Sequence, residues 1–531
     1  MSNRFRLKAL VIALSLATAT LACAASPSAG HANAAVVAHA TALHLGDTVV
    51  GPVALTRPLR VAVSLKLRNE ASLQAFIANP NHPNLTPAQF TAKYGPSETD
   101  ANAVAAWLKQ NGFSNISISP NRVLVSATAS VGAVQSAFHT NIVRVRTHDG
   151  RNAYANASDA SVPVSLHGVS GVLGLQTVHV PHPVKGKPGG GGGGSIIGHN
   201  PVQFPSIYGG ASLPTAAGVT VGIISNGDLS PTLSDLNTFT SQNGLAAVTT
   251  QIVNTDGTGT DTSGTSEWDL DSQDIVGMAG GQVGKIVFYN IPTLLNTSMV
   301  DDFNTVVNAN VAKVINVSLG ECETSAEGDG SAAAADAIFQ QADAQGQTFS
   351  VSSGDSGSNE CSQGGPHGTT PSWPASSPYV VAVGGTTLNA TTTTWQGETV
   401  WSSTGGSPST FEPIPSWQVG VGQNAGSKYR GVPDIAFDAD PNSGAIIVVN
   451  GSLQQWGGTS LSSPLFVGFW ARMIAAKGTG IGFAAPKLYQ LPASAFHDVT
   501  SGSNGAESAA PGWDYTTGFG SIIMSQAASS L

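Results

Sequence analysis

Apolar residues fall into two kinds of pattern along this 531-residue chain, and the change between them divides it. From about 58 to 147, short apolar runs alternate with amphipathic stretches. Residues 59–65 read as a strand and 71–78 as a helix halted by Asn79-Pro80. Thr86-Pro87 supplies the cap and first turn of a short helix ending near Tyr94-Gly95. Residues 99–110 are amphipathic and stop at Asn111-Gly112. Strands at 116–118 and 123–125 flank Pro120-Asn121, 131–138 is a helix, and 142–145 is the closing strand. Two βαβ-like halves predict a small α+β unit of ferredoxin-like type. No catalytic grouping falls inside it.

From about 201 the runs lengthen and become more apolar. Strands are expected at 219–224, 285–289, 313–318, 348–352 and 379–383. Helices are expected between them at 231–243, 267–278, 300–310 and 332–344. Such alternation predicts an α/β domain, a mostly parallel sheet with helices on both faces. A site in such a sheet lies at the carboxyl ends of its strands. Between the two patterns, Lys185-Gly186-Lys187-Pro188 leads into six glycines, Gly189 to Gly194. A run of that kind is a flexible, readily cut linker, or a passive spacer. The expected organisation is a signal peptide at 1–34, a compact domain at 35–183, a linker at 184–200 and a larger domain at 201–531.

Composition narrows the setting. Charged residues make up only 10% of the chain, and the formal net charge is −10, from 22 basic and 32 acidic residues. With no basic stripe, nucleic acid is not an expected partner. So few charges limit self-repulsion on acidification, although richness in Ala, Gly, Ser and Thr alone would look the same. Arg4, Arg6 and Lys8 precede the apolar run from Ala9 to Leu21, and Ala22-Cys23-Ala24 and Ala32-Asn33-Ala34 offer cleavage sites after about 24 or 34. That pattern predicts export, with no membrane anchor once the signal is removed. Without Cys23, Cys322 and Cys361 remain, either bridged or as two buried thiols.

The chemistry centres on Gly457-Gly458-Thr459-Ser460-Leu461-Ser462-Ser463-Pro464, which opens onto the apolar run from Leu465 to Ala476. Pro464 suits the first turn of a helix, which would place Ser460 at a helix N-terminus whose N–H groups face an incoming carbonyl. A serine needs a base to become a nucleophile. Gly354-Asp355-Ser356-Gly357 matches the nucleophile motif of chymotrypsin-like proteases, but those are paired β-barrels and the pattern here is α/β. The Gly-x-Ser-x-Gly elbow is not found around Ser460. His367, between Pro366 and Pro371, lies in a loop too late in the chain to serve a subtilisin-like arrangement. On the helix that should carry a histidine, Glu267 stands in its place, with Asp271 one turn later on the same face.

Ser460, Glu267-x-x-x-Asp271 and Ser353-Gly354-Asp355-Ser356-Gly357 together resemble the sedolisins, the serine-carboxyl peptidases. The resemblance covers nearly the whole chain. Leu85-Thr86-Pro87 and Lys93-Tyr94-Gly95-Pro96 resemble part of their activation prodomain. Gly320-Glu321-Cys322-Glu323 and Glu360-Cys361 are most similar to the pepstatin-insensitive bacterial acid proteases. The resemblance implies a subtilisin-like fold with Ser460 as nucleophile, Glu267 as general base, Asp271 as its partner and Asp355 as the acid of the oxyanion hole. The residue types make chemical sense. A free glutamate titrates near pH 4.3 and a histidine near 6.5, so near pH 4 only the carboxyl can still accept a proton. Asp271, beside it, can share a proton. Asp355 must be neutral to donate a hydrogen bond. Some relatives extend the catalytic chain with a further glutamate and a tryptophan; Ser225 and Leu319 occupy those positions here.

Phe496-His497-Asp498-Val499 and Ala510-Pro511-Gly512-Trp513-Asp514 resemble the segments that bind one calcium ion in sedolisins. By that likeness Asp498 and Asp514 would ligate Ca2+ by side chain, and Val499, Ala510 and Gly512 by carbonyl; ordinary loop aspartates are the alternative. The sequence therefore predicts a secreted, acid-acting endopeptidase made as a zymogen, monomeric, with protein or peptide substrates and its own prodomain as intramolecular inhibitor. A tripeptidyl exopeptidase and an inactive surface-binding homologue on the same fold are the alternatives.

Overall fold

The computed structural model describes residues 34–183, 187–188, 198–361, 368–477 and 481–531. The expected signal residues 1–33, most of the linker and His367 lie outside them. Among the described residues, no helix is long and apolar enough to cross a membrane.

In the N-terminal unit four strands pair antiparallel in the order Ser114–Ile118, Leu124–Ser130, Pro58–Leu65, Val169–Leu173. Interleaved βαβ halves give this order. The fourth strand is not the expected 142–145 run. Ile142–Arg146 joins Thr48–Pro52 and Asn152–Asn156 in a separate sheet. Its sequence alternates apolar residues with Arg144 and Arg146, which suits a sheet with one wet face. Gly171, Val172 and Leu173 are buried in succession, as a strand covered on both sides requires. The helix Pro87–Lys93 starts as its sequence predicts: the Thr86 hydroxyl accepts from the Gln89 N–H, and the Gln89 side chain accepts from the Thr86 N–H.

The larger unit is built on β1 (Ala216–Asn226), β2 (Thr250–Asn254), β3 (Val283–Ile291), β4 (Val314–Val317), β5 (Thr348–Ser352), β6 (Val381–Ala390), β7 (Trp395–Val400) and β8 (Ile435–Asp438). They form one sheet in the order β2-β3-β1-β4-β5-β6-β7, with β8 also on β6; only β7 runs antiparallel. Helices α1 (Ser230–Gln242), α2 (Thr265–Met278), α3 (Asn296–Ala309), α4 (Ser331–Ala344) and α5 (Thr459–Lys477) pack around it. α2 and α5 lie together on one face, and α3 and α4 on the other. Strand β2, rich in Thr, Gln and Asn, sits at the sheet edge and was not expected from the pattern.

α2 and α5 come close because residue 468 has no side chain. A Cβ on Gly468 would lie 2.7 Å from Met278 Cβ and 2.9 Å from the Ile275 carbonyl. Helix α5 begins earlier than expected. Gly458, at φ +125°, turns the chain directly into the helix at Thr459, so Pro464 is the sixth helical residue and not in the first turn. Pro464 has no N–H to give the carbonyl of residue 460.

The N-terminal unit docks on α3 and α4. The Asn121 amide donates to Asn304 Oδ1 at 2.6 Å and Gln341 Oε1 at 2.7 Å. Arg60 pairs with Asp256 and Asp301, both at 2.6 Å. Two short stretches then follow the sheet end. His182–Pro183 pairs antiparallel with Leu319 and Gly320, and Lys187–Pro188 pairs antiparallel with Trp456 and Gly457. Cys322 and Cys361 form a disulfide.

Candidate active site

Glu267, Asp271, Asp355 and Ser460 reach the same end of the sheet from three directions. Glu267 is the third residue of α2 and is buried. The start of that helix is tied to the end of β1 by Trp268, whose indole N–H donates to the Asn226 carbonyl at 3.1 Å. Gly264 caps the helix with the indole packed on it; a Cβ there would lie 2.6 Å from Trp268 Nε1. One turn after Glu267, the carboxyl of Asp271 is wholly buried, and Oδ1 accepts the Ser318 hydroxyl at 2.6 Å, just past the end of β4.

Asp355 follows β5. Gly354, at φ +112°, bends the chain so that the Asp355 carboxyl meets the residue before Ser460. Oδ1 accepts the Thr459 N–H at 2.8 Å and its hydroxyl at 2.9 Å. Ser460 is the second residue of α5 and fully buried. Thr459 therefore joins Asp355 to Ser460, while α2 brings Glu267 and Asp271 alongside α5. Glu360 packs beneath the same turn. Its Oε1 accepts the Ser356 N–H at 2.8 Å, and burial, with the nearby Asp355, pushes it up to about 8.

Burial likewise holds the Asp271 carboxyl well above the ordinary carboxylate range, opposed by hydrogen bonds from Ser318 and Asn316. Asp274, one turn on, is raised by burial and then by the charges of Asp271 and Asp438. The positions that would extend the catalytic chain turn elsewhere: the Ser225 hydroxyl lies 3.2 Å from both the Tyr289 carbonyl and Asn290 Oδ1, and Leu319 is apolar. Ser318, Asn316, Ser463 and Thr459 were not singled out from sequence. Their signal was there for two of them, since Asn316 and Ser318 are polar at alternate positions of a strand otherwise apolar.

The C-terminal acidic pair also converges. Asp514 is fully buried; Oδ1 accepts the N–H groups of Thr516 and Thr517, and Oδ2 accepts the Ala510 N–H at 2.9 Å. Asp498 Oδ2 accepts the Gly512 N–H at 2.9 Å. Both carboxyls thus grip the stretch 510–512, and no cationic side chain pairs with either among the described residues. Two carboxylates on this stretch offer oxygen donors, the kind a hard cation prefers.

Residues 46–178 match the model of the pro-kumamolisin activation domain, and residues 218–513 match that of the subtilase family. Sedolisin of Pseudomonas sp. (strain 101) is 47% identical over 88% of this chain and 86% of its own length. The chain belongs to the sedolisin family. Xanthomonalisin of Xanthomonas sp. (strain T-22) is 46% identical over 88% of this chain, which spans 64% of that sedolisin relative. A solved structure of Pseudomonas sedolisin, bound to two molecules of pseudo-iodotyrostatin, superposes with a TM-score of 0.61 at 49% identity, over 63% of this chain and 98% of that one. The chain is a serine-type peptidase with an activation prodomain, on a subtilisin-like, mostly parallel sheet.

The burial of its carboxyls sets an expectation for stability. Asp269 is pushed up to about 9 by burial and then by Asp235, Glu360 to about 8, and Asp302, Asp343, Glu321 and Asp438 well upward by burial first. Each is protonated in the fold at a pH where an unfolded carboxyl, near 4, has ionised. The folded state then binds more protons, so this stability is complete below about pH 4 and is lost as pH rises through about 8 to 9. Melting temperature is expected to fall from pH 4 to pH 8. A melting temperature that climbs over that range contradicts this.

Proposed function

We propose that this chain is an exported, acid-acting serine-carboxyl endopeptidase made as an inactive precursor. Ser460 attacks the scissile carbonyl, Glu267 takes the hydroxyl proton, Asp271 supports Glu267, and Asp355 donates to the oxyanion beside the Ser460 N–H. The observation that carries the reading is the hold of Asp355 on Thr459. With Oδ1 accepting two donors, a neutral Asp355 carries its proton on Oδ2 and presents it as a donor next to the nucleophile. Asp355→Ala is expected to lower kcat by about 100- to 1,000-fold with KM little changed. A loss confined to KM contradicts the oxyanion role.

Cleavage inside a chain is supported by two short stretches paired near the site. Residues 182–183 lie as a strand on 319–320, just after Ser318, and residues 187–188 on 456–457, just before the Ser460 turn. Strand edges that hold extended chain at both places can accept substrate continuing in both directions. A tripeptidyl enzyme needs one end closed, whereas here more than a hundred residues precede the bound strand. Mapped products of a denatured protein should accordingly vary in length; a ladder of tripeptides alone overturns the assignment. The intact set of Ser460, Glu267, Asp271 and Asp355 opposes an inactive surface-binding role. The N-terminal basic and apolar run supports export, and the unit docked on α3 and α4 acts as the intramolecular inhibitor.

One Ca2+ would be held by Asp498 and Asp514 through their carboxylates and by Val499, Ala510 and Gly512 through carbonyls. A bound divalent cation supplies the charge that the buried Asp514 otherwise lacks and ties the C-terminal loops together. Chelation of the processed protein is expected to lower its melting temperature by several degrees, with recovery on adding Ca2+ and a blunted response in Asp514→Asn. An unchanged melting temperature contradicts the site.

A further inference from the structure

The surroundings of Asp271 say which of its oxygens holds a proton. Strand register places Asn316 of β4 beside Ser350 of β5. Ser463, one turn after Ser460 in α5, reaches both: its hydroxyl is 2.7 Å from Asn316 Oδ1 and 2.7 Å from the Ser350 hydroxyl. Asn316 Nδ2 is 2.9 Å from the Ser318 hydroxyl, which is 2.6 Å from Asp271 Oδ1. All five residues are fully buried, so each donor needs an acceptor within the group.

Counting hydrogens gives the chain a direction. An amide oxygen cannot donate, so Ser463 donates to Asn316 Oδ1. An amide nitrogen cannot accept, so Asn316 donates to Ser318. The Ser318 hydroxyl then has its single hydrogen left for Asp271 Oδ1. That oxygen is an acceptor, and no hydrogen-bond partner is found for Oδ2 among the described residues.

We propose that Ser318 and Asn316 are positioning residues that confine the proton of Asp271 to Oδ2, the oxygen left to serve Glu267 one turn earlier in α2. The inference rests on Glu267 being the base. Its consequence is that the donor Asp271 can offer Glu267 has a fixed direction, so the accepting lone pair of Glu267 would be set for the Ser460 hydroxyl once the two carboxyls meet. Without the relay the Asp271 proton is shared between two oxygens.

The other titratable groups around this point are carboxyls. Asp274 lies on α2 itself and meets Asp438 of β8, while Asp235 of α1 meets Asp269. From α5, Arg472 turns away to the carbonyls of Pro214, Gly210 and Leu213, and Lys477, in the last turn, reaches the Ala528 carbonyl.

The test compares Ser318→Ala, Ser318→Thr and Glu267→Gln with the unchanged protein, as processed forms, by kcat and KM on a peptide substrate from pH 2.5 to 8, with melting temperature as the folding control. Ser318→Ala is expected to lower kcat by about 10- to 100-fold with KM within about twofold. It should also move the alkaline limb of kcat upward, because the Ser318 hydrogen bond favours the ionised form of Asp271. Ser318→Thr keeps the hydroxyl and restores both. Should Ser318→Ala not fold, Ser318→Cys, a weaker donor, is expected to lower kcat and move the limb in the same direction. An inactive Glu267→Gln beside a folded Ser318→Ala with unaltered kcat and limbs overturns the relay alone. A fully active Glu267→Gln overturns the base assignment and the relay with it.

Discussion

Ser460→Ala is expected to stop self-processing and peptide hydrolysis together, with kcat down by about 10^5- to 10^6-fold. The serine sits in the first turn of α5, where helix N–H groups point at an incoming carbonyl. Leu319-Gly320, just after Ser318, pairs with residues 182–183, and Trp456-Gly457, just before the Ser460 turn, pairs with residues 187–188. On the proposed reading the precursor would present its own chain to Ser460, and removing the hydroxyl would remove the nucleophile. The purified variant should remain a full-length precursor after acidification. Addition of a trace of active enzyme should cut it, which shows that the linker is still accessible and the defect chemical. Processing of the pure variant at the normal rate contradicts the assignment of Ser460.

Glu267→Gln is expected to cost nearly as much, about 10^4- to 10^6-fold in kcat, since an amide keeps the size of the side chain but takes no proton. The change tests the base without removing packing: Glu267 is buried in the first turn of α2, and glutamine fits the same volume. Single-turnover acylation is the step to follow, because it isolates proton transfer from product release. A variant that acylates within tenfold of the original rate contradicts the role.

Much of this site could be read before the fold was known, for a physical reason. Glu267 and Asp271 are one helical turn apart, Ser460 follows two glycines at a turn, and Asp355 follows Gly354 at a positive φ. Spacing of that kind survives as geometry. The alternation from 201 onward likewise announced a parallel sheet, because strands buried on both faces are apolar throughout. What escaped was set by contacts distant in sequence. Ser463 meets Asn316 across 147 residues, and Thr459 meets Asp355 across 104, so no local pattern marks either. Ile142–Arg146 has the periodicity of a strand, but periodicity does not name the partner, and it paired with Thr48–Pro52 instead of closing the main sheet. The start of α5 was misread because Pro464 is more typical of a first turn than of a sixth residue.

The account depends on a carboxyl, and not an imidazole, removing the serine proton. The most direct measurement is the pH dependence of kcat/KM for the processed enzyme on an uncharged peptide. A glutamate base with a protonated aspartate beside it predicts a bell, rising through about pH 3 to 4 and falling as Asp271, held by burial well above the ordinary carboxylate range, ionises. Activity that keeps climbing from pH 6 to pH 9 contradicts it.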